Sequence, residues 1–167
     1  VNNILDINTP DPEKVWLIRR VDMGERASEG IGRLPAEEFE TYQNFVSNVD
    51  EDANETGGIR MPDLTVPLGS HFGWNLRHPD TKEPDQQIAM QGISIFFEVT
   101  KEDRDKKRDR RLSINERYKT KAEFINKVKQ ETQKLLDENY ILAEDVGIVI
   151  SACEERYDAI ISGKLKN

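Results

Sequence analysis

The side chains best suited to covalent chemistry in this chain lie together in Gly69-Ser70-His71-Phe72-Gly73. A serine beside a histidine, bracketed by glycines, suggests acyl transfer, in which the imidazole takes the hydroxyl proton and the oxygen attacks a carbonyl carbon. The spacing argues against it. A nucleophile elbow needs Gly-x-Ser-x-Gly, because the glycines permit the sharp turn that lifts the hydroxyl. Here His71 holds the middle position and Ser70 stands one place early. A catalytic histidine also normally reaches its serine from a distant segment rather than from the next residue. No catalytic residue is therefore assigned here. His71 is read as a loop residue hydrogen-bonded to backbone, or as part of a cleft wall.

Other candidate sites are weaker. Asp50-x-Asp52-x-Asn54 begins like a calcium loop, but the glycine needed at the sixth position is Glu55 and the glutamate needed at the twelfth is Met61. A solvated acidic turn is the simpler reading. His71 and His78, with Asp63 and Asp80 nearby, lack any spacing that would build a three-ligand zinc site, so no metal is expected. No glycine-rich phosphate loop occurs, since Gly57-Gly58 is not followed by lysine and a helix; no cofactor is expected. Lys101 to Arg111 carries seven bases and four acids. Such mixed signs describe a solvated, salt-bridged face rather than a phosphate track. Phe72 and Trp74 could form a stacking platform, but burial against a neighbouring domain suits them better. The single cysteine, Cys153, falls on an apolar helix face and is read as a buried, inert thiol.

The composition limits what can hold these residues in place. Of the 167 residues, 36% are hydrophobic and 34% charged, and the mean hydropathy is −0.73. Only Val15–Val21 and Ile93–Val99 approach the long apolar runs of a sheet buried on both faces. A complete α/β enzyme is therefore not expected. The net charge of −8 opposes nucleic acid and anionic membranes as partners. No apolar run reaches the ~20 residues of a membrane span, and the first residues do not read as a signal peptide. The chain starts with Val1, which suits a fragment, a processed product or a trimmed polypeptide.

The expected fold class is α+β, with short strands, a long irregular Pro/Gly-rich segment and a C-terminal antiparallel helical hairpin. Residues 1–100 are read as a strand-and-loop segment, with a buried strand at Val15–Val21 and one helix near 35–48. Pro35 would open that helix, Glu37, Glu38 and Glu40 would favour its first turns, and Phe39, Tyr42 and Val46 would share a face. Asp50 to Met90 shows no sustained periodicity and is expected to follow a fixed irregular path over a neighbouring surface. Residues 101–167 are read as a helical subdomain. Ser113-x-x-Glu116 and Thr120-x-x-Glu123 match the capping box. Phe124, Ile125, Val128, Leu135 and Leu136 form one apolar stripe; Val146, Val149, Ile150, Cys153, Tyr157 and Ile160 form another, ended by Gly163.

The string "NETGGIRMPDLTVPLGSHFGWNLR", followed by "ISIFFEVTKEDR", "DRRLSINERY" and "LLDENYILAEDV", resembles a signature near the C-terminus of the alpha/beta hydrolase domain-containing proteins. The resemblance covers roughly Val21 to Glu155. It implies a hydrolase acting on ester or amide bonds through a Ser–His–acid triad located in the preceding part of the polypeptide. The matched positions include Asn54, Gly58, Arg60, Pro62, Pro67, Gly73, Trp74 and Arg77, none of them a triad member. Ala53 stands where the pattern has glycine, and Ser70-His71-Phe72 stands where it often has a threonine–tyrosine pair. The implied role is a non-catalytic C-terminal portion that supports or caps a catalytic α/β-hydrolase domain, in the same polypeptide or on a partner chain. His71, Phe72, Trp74 and Arg77 are its candidate cleft-lining residues. The alternative is a freestanding acidic protein–protein interaction module.

Overall fold

The structure is a computed structural model that describes residues 18–42, 45–82, 86–88 and 90–165, without the Pro79 side chain. It is a mixture of helices and short strands. The described residues fall into two compact units.

One unit takes in the described parts of Asp11–Val46 and Leu76–Gln87. Strands β1 (Arg19–Asp22) and β2 (Glu37–Thr41) pair antiparallel within it, with Val21 opposite Glu38 and a bulge between Arg19 and Val21. The helix expected near 35–48 is therefore not formed where the structure describes it; residues 37–41 are a strand. The acids that would suit a helix start are instead held by arginines, Glu38 by Arg19 at 2.8 Å and Glu37 by Arg33 at 2.7 Å. Main-chain bonds such as Tyr42 N–H to the Ile18 carbonyl (2.8 Å) complete the ladder. Helix propensity is a weak preference that such pairing overrides. Phe39, Tyr42 and Val46 are exposed rather than packed together. Of the expected buried strand Val15–Val21, residues 15–17 lie outside the described residues, and Ile18 and Val21 are exposed.

The other unit takes in the described residues of Ser47–Asn75 and Ile88–Asn167 and holds the core. A short α1 (Pro62–Thr65) opens with proline at a helix start. Strand β3 (Gly69–Phe72) pairs antiparallel with β4 (Ile93–Phe96), placing Ser70 opposite Ile95 and His71 opposite Ser94. Ser70 and His71 thus lie on a strand, correcting the expectation of an irregular loop. Gly69 is required by close approach, because a Cβ there would stand 2.7 Å from the Ile95 carbonyl oxygen. The segment from Val66 to Ser70 is buried, and Val66 and Leu68 enter the hydrophobic core.

After β4 come α2 (Lys101–Lys106), α3 (Ile114–Arg117), α4 (Lys121–Asp137) and α5 (Val146–Ile161). The capping reading holds at α3, where Glu116 accepts from both the main-chain N–H and the hydroxyl of Ser113. At α4 the Thr120 hydroxyl accepts from Glu123 N–H, but the Glu123 carboxylate turns to Lys119 N–H, one residue before the cap. Helices α4 and α5 pack on each other, and Lys121 at the start of α4 pairs with Glu154 and Asp158 of α5. Phe124, Val128, Cys153, Tyr157 and Ile160 enter one core with Val66, Leu68, Phe97, Ile114 and Tyr118. Phe124 meets Tyr118 edge-on at 5.1 Å and stacks on Tyr157 at 5.0 Å. Fully buried Thr132 continues the inner face of α4 by donating its hydroxyl to the Val128 carbonyl. Gly163, with φ of 72°, ends α5 in the left-handed conformation.

Candidate functional site

Around Ser70 the strand pair becomes a polar buried network. The Ser70 hydroxyl is fully buried; it donates to the Asp52 carbonyl and accepts from Arg111 Nη1 at 2.7 Å. Its hydrogen-bonding capacity is thus directed into the fold rather than towards a substrate. Arg111 also donates Nη1 to the Ile95 carbonyl (2.8 Å) and grips the Asp109 carboxylate with Nε and Nη2. Both side chains of that ion pair are essentially inaccessible, 0% and 1% exposed. The expectation of a wholly solvated face over Lys101 to Arg111 is therefore corrected at its end. The run leaves solvent after α2 because Arg111 finds carbonyls and a hydroxyl that need donors.

Asn54 is the residue that organises β3. Its Nδ2 donates to the Gly69 carbonyl (3.0 Å) and its Oδ1 accepts from His71 N–H (2.8 Å). One amide side chain thereby serves as a neighbouring strand, closing the main-chain groups on either side of Ser70. The turn that presents Asn54 is built by Asp50, whose Oδ1 accepts from the N–H groups of Asp52 and Asn54 while Oδ2 takes Arg60 at 2.9 Å. Asp52 is clamped by both terminal nitrogens of Arg117. The carboxylates that resembled calcium ligands are thus occupied by arginines, and among the described residues no group of acidic, histidine or cysteine side chains is arranged to hold a metal. Ala53, in the middle of the turn, has φ of 62°, the left-handed region that disfavours a side chain. The glycine of the resembling pattern suits that geometry better. Two guanidinium groups, from Arg111 and Arg117, lie over the Phe97 ring at 4.9 and 4.1 Å.

The imidazole of His71 is half-buried, with Nδ1 2.8 Å from the Ser94 hydroxyl on the facing strand. Burial lowers its pKa first; Asp63 opposes that shift and Arg156 adds to it. Asp63 and Arg156 are themselves ion-paired, joining α1 to α5. Cys153, close to the same pair, is buried, and its thiol is pushed up to about 11, mainly by desolvation. It stays protonated near neutral pH, as an inert core thiol would.

Of the four cleft-lining candidates, His71, Phe72 and Trp74 belong to the unit holding the core and are half-buried; Arg77 belongs to the other unit and is exposed. His78 is also in that other unit, exposed, with Nδ1 3.3 Å from the Asp80 N–H. Two clefts of the core unit are lined by residues that sequence reasoning did not choose. One, about 450 Å³, is walled by Arg60, Thr65, Arg117, Tyr118 and Lys127; the other, about 550 Å³, by Ile59, Lys134, Leu135 and Tyr140, with Arg60 and Glu131 shared by both. Their convergence follows from contacts between distant segments and leaves no local spacing to read. No helix among the described residues is long and apolar enough to cross a membrane.

A sequence model described as "Alpha/beta hydrolase domain" matches residues 15–151, most of the chain. The chain belongs to that family. No curated protein and no solved structure matches it.

Proposed function

We propose that this chain is the C-terminal, non-catalytic portion of a serine hydrolase of the esterase kind, acting on ester or amide bonds. In this reading it supports or caps a catalytic α/β-hydrolase domain carried by the same polypeptide or by a partner chain. The observation that carries the proposal is the commitment of Ser70: its hydroxyl is fully buried between Asp52 and Arg111, away from any incoming carbonyl carbon. Ser94 meets the neutral-leaning His71 across a strand pair, without the elbow turn that raises a nucleophile. In this assignment α4 and α5 form an antiparallel helical hairpin that stiffens the portion, and His71, Phe72 and Trp74 line its approach to the catalytic domain. The exposed Leu34 and Phe45, 88% and 82% accessible, favour a covering surface and lend some weight to the alternative of an acidic protein–protein interaction module.

A fluorophosphonate probe separates these readings. The isolated 167-residue chain is expected to remain unlabelled, and the polypeptide encoded by the whole reading frame to label at a serine upstream of Val1. Labelling of the isolated chain at Ser70 or Ser94 would overturn the proposal. A reading frame that opens just before Val1, with no hydrolase domain purified alongside the native protein, would favour the interaction module.

A further inference from the structure

Where α4 stops and α5 begins, the fold leaves its own charge uncompensated. Asp137 to Asp145 holds four acids and no base. Asp137 accepts from the neutral Gln133 amide at 2.8 Å, and no base among the described residues pairs with Asp137, Glu138, Glu144 or Asp145. The bases of the adjoining cleft are already engaged. Arg60 binds Asp50 at 2.9 Å and donates to the Leu64 carbonyl, and Lys134 binds Glu131. Glu138 is therefore the unpaired charge on that cleft's wall.

Beside those acids lies uncovered apolar surface. Ile59 and Tyr140, 57% and 53% exposed, line the cleft of about 550 Å³ together with Leu135. Leu142, 62% exposed, stands two residues beyond Tyr140. A built turn presents these groups. The Tyr140 N–H donates to the Leu135 carbonyl at 2.8 Å, and Asn139, with φ of 61°, turns the chain just before it. An exposed apolar cleft edged by charge of one sign has the character of a protein docking site.

We propose that this end of the α4–α5 pair docks a basic segment of a partner protein, with one large apolar side chain of the segment entering the cleft between Ile59 and Tyr140. Lysines or arginines flanking that anchor meet Glu138, Glu144 and Asp145 through charge-assisted bonds. The unpaired acids select the sign of the partner. They repel nucleic acid and anionic lipid, and a second copy of this chain, at net charge −8, brings the same sign. The apolar wall in turn selects against a purely polar polycation. The anchor supplies most of the affinity, and the acids speed encounter and exclude wrong partners. The proposal does not depend on where the family's catalytic centre lies.

The test is an NMR titration of the isotopically labelled 167-residue chain with the peptide acetyl-Lys-Arg-Trp-Leu-Arg-Lys-amide. One comparison peptide replaces Trp-Leu by Gly-Ser; another replaces every base by glutamate. The basic peptide is expected to give saturable shifts at Ile59, Glu138 and Tyr140, with an affinity that falls as sodium chloride is raised. Tyr140→Ser, and the double variant Glu138→Lys with Glu144→Lys, are each expected to weaken binding about tenfold. All three residues are exposed, so the variants keep the fold, which a thermal melt verifies. Absence of saturable shifts, shifts confined to another surface, or equal affinity for either comparison peptide would overturn the assignment. So would unchanged affinity in either variant, or the same shifts on concentrating the chain without peptide.

Discussion

Asn54 holds both main-chain groups flanking Ser70, taking the His71 N–H at 2.8 Å and giving its own amide to the Gly69 carbonyl at 3.0 Å. A single side chain thus fixes the position of a strand fifteen residues further along the chain.

Asn54→Ala leaves both groups enclosed and unpaired and is expected to destabilise the chain by about 2–4 kcal/mol. Asn54→Asp keeps the acceptor for His71 N–H but loses the donor to Gly69. Because a carboxylate enclosed there is unpaired and faces the Gly69 carbonyl, the aspartate variant should be at least as unstable as the alanine variant in urea unfolding at neutral pH. Equal stability of the alanine variant and the wild type would show that Asn54 does not organise β3.

Arg111 and Asp109 form an ion pair with neither side chain reaching solvent. Removing one partner strands a buried charge, so Arg111→Met and Asp109→Leu are each expected to cost about 3–5 kcal/mol. The double variant should lose much less than the sum, because no lone charge remains. A double-mutant cycle by denaturant titration measures that coupling, and simple additivity would contradict it.

His71 provides a pH dependence with a definite sign. Burial lowers its pKa below the ordinary 6.5, so the folded chain binds this proton less readily than the unfolded chain. Its contribution is fully present above about pH 6.5 and is lost as pH falls towards the lower folded value. Denaturant midpoints should therefore drop between pH 7.5 and pH 5.5, and the drop should shrink in His71→Gln. An NMR titration of the His71 ring gives the same answer directly; a midpoint above 6.5 would reverse the argument.

Several features were legible along the chain because their causes are local. The Ser113 and Thr120 caps involve groups three or four residues away, and the inner faces of α4 and α5 follow helical spacing. The Ala53 departure was also visible, although its meaning was not. Only the structure shows a left-handed φ at that position, where a glycine carries no Cβ penalty. The helix expected near 35–48 failed for the complementary reason. Its acids and apolar residues satisfied the local rules, while pairing with β1 decided the conformation.

The chemistry depends still more on distance. Ser70 beside His71 reads as a reactive pair, yet its hydroxyl is claimed by Asp52, eighteen residues earlier, and by Arg111, forty-one residues later. Asp109 and Arg111 read as the end of a solvated run and prove to be buried.

From its sequence alone, this protein's family, its acidic character and its C-terminal helices could be determined, since each rests on composition, on a long motif or on contacts within one helical turn. The tertiary structure decided that Ser70 is an anchored strand residue, that Asn54 takes the place of a neighbouring strand, and that Asp109 and Arg111 are buried as a pair. Those outcomes required groups far apart in the chain to exchange water for one another, a choice made by the assembled fold.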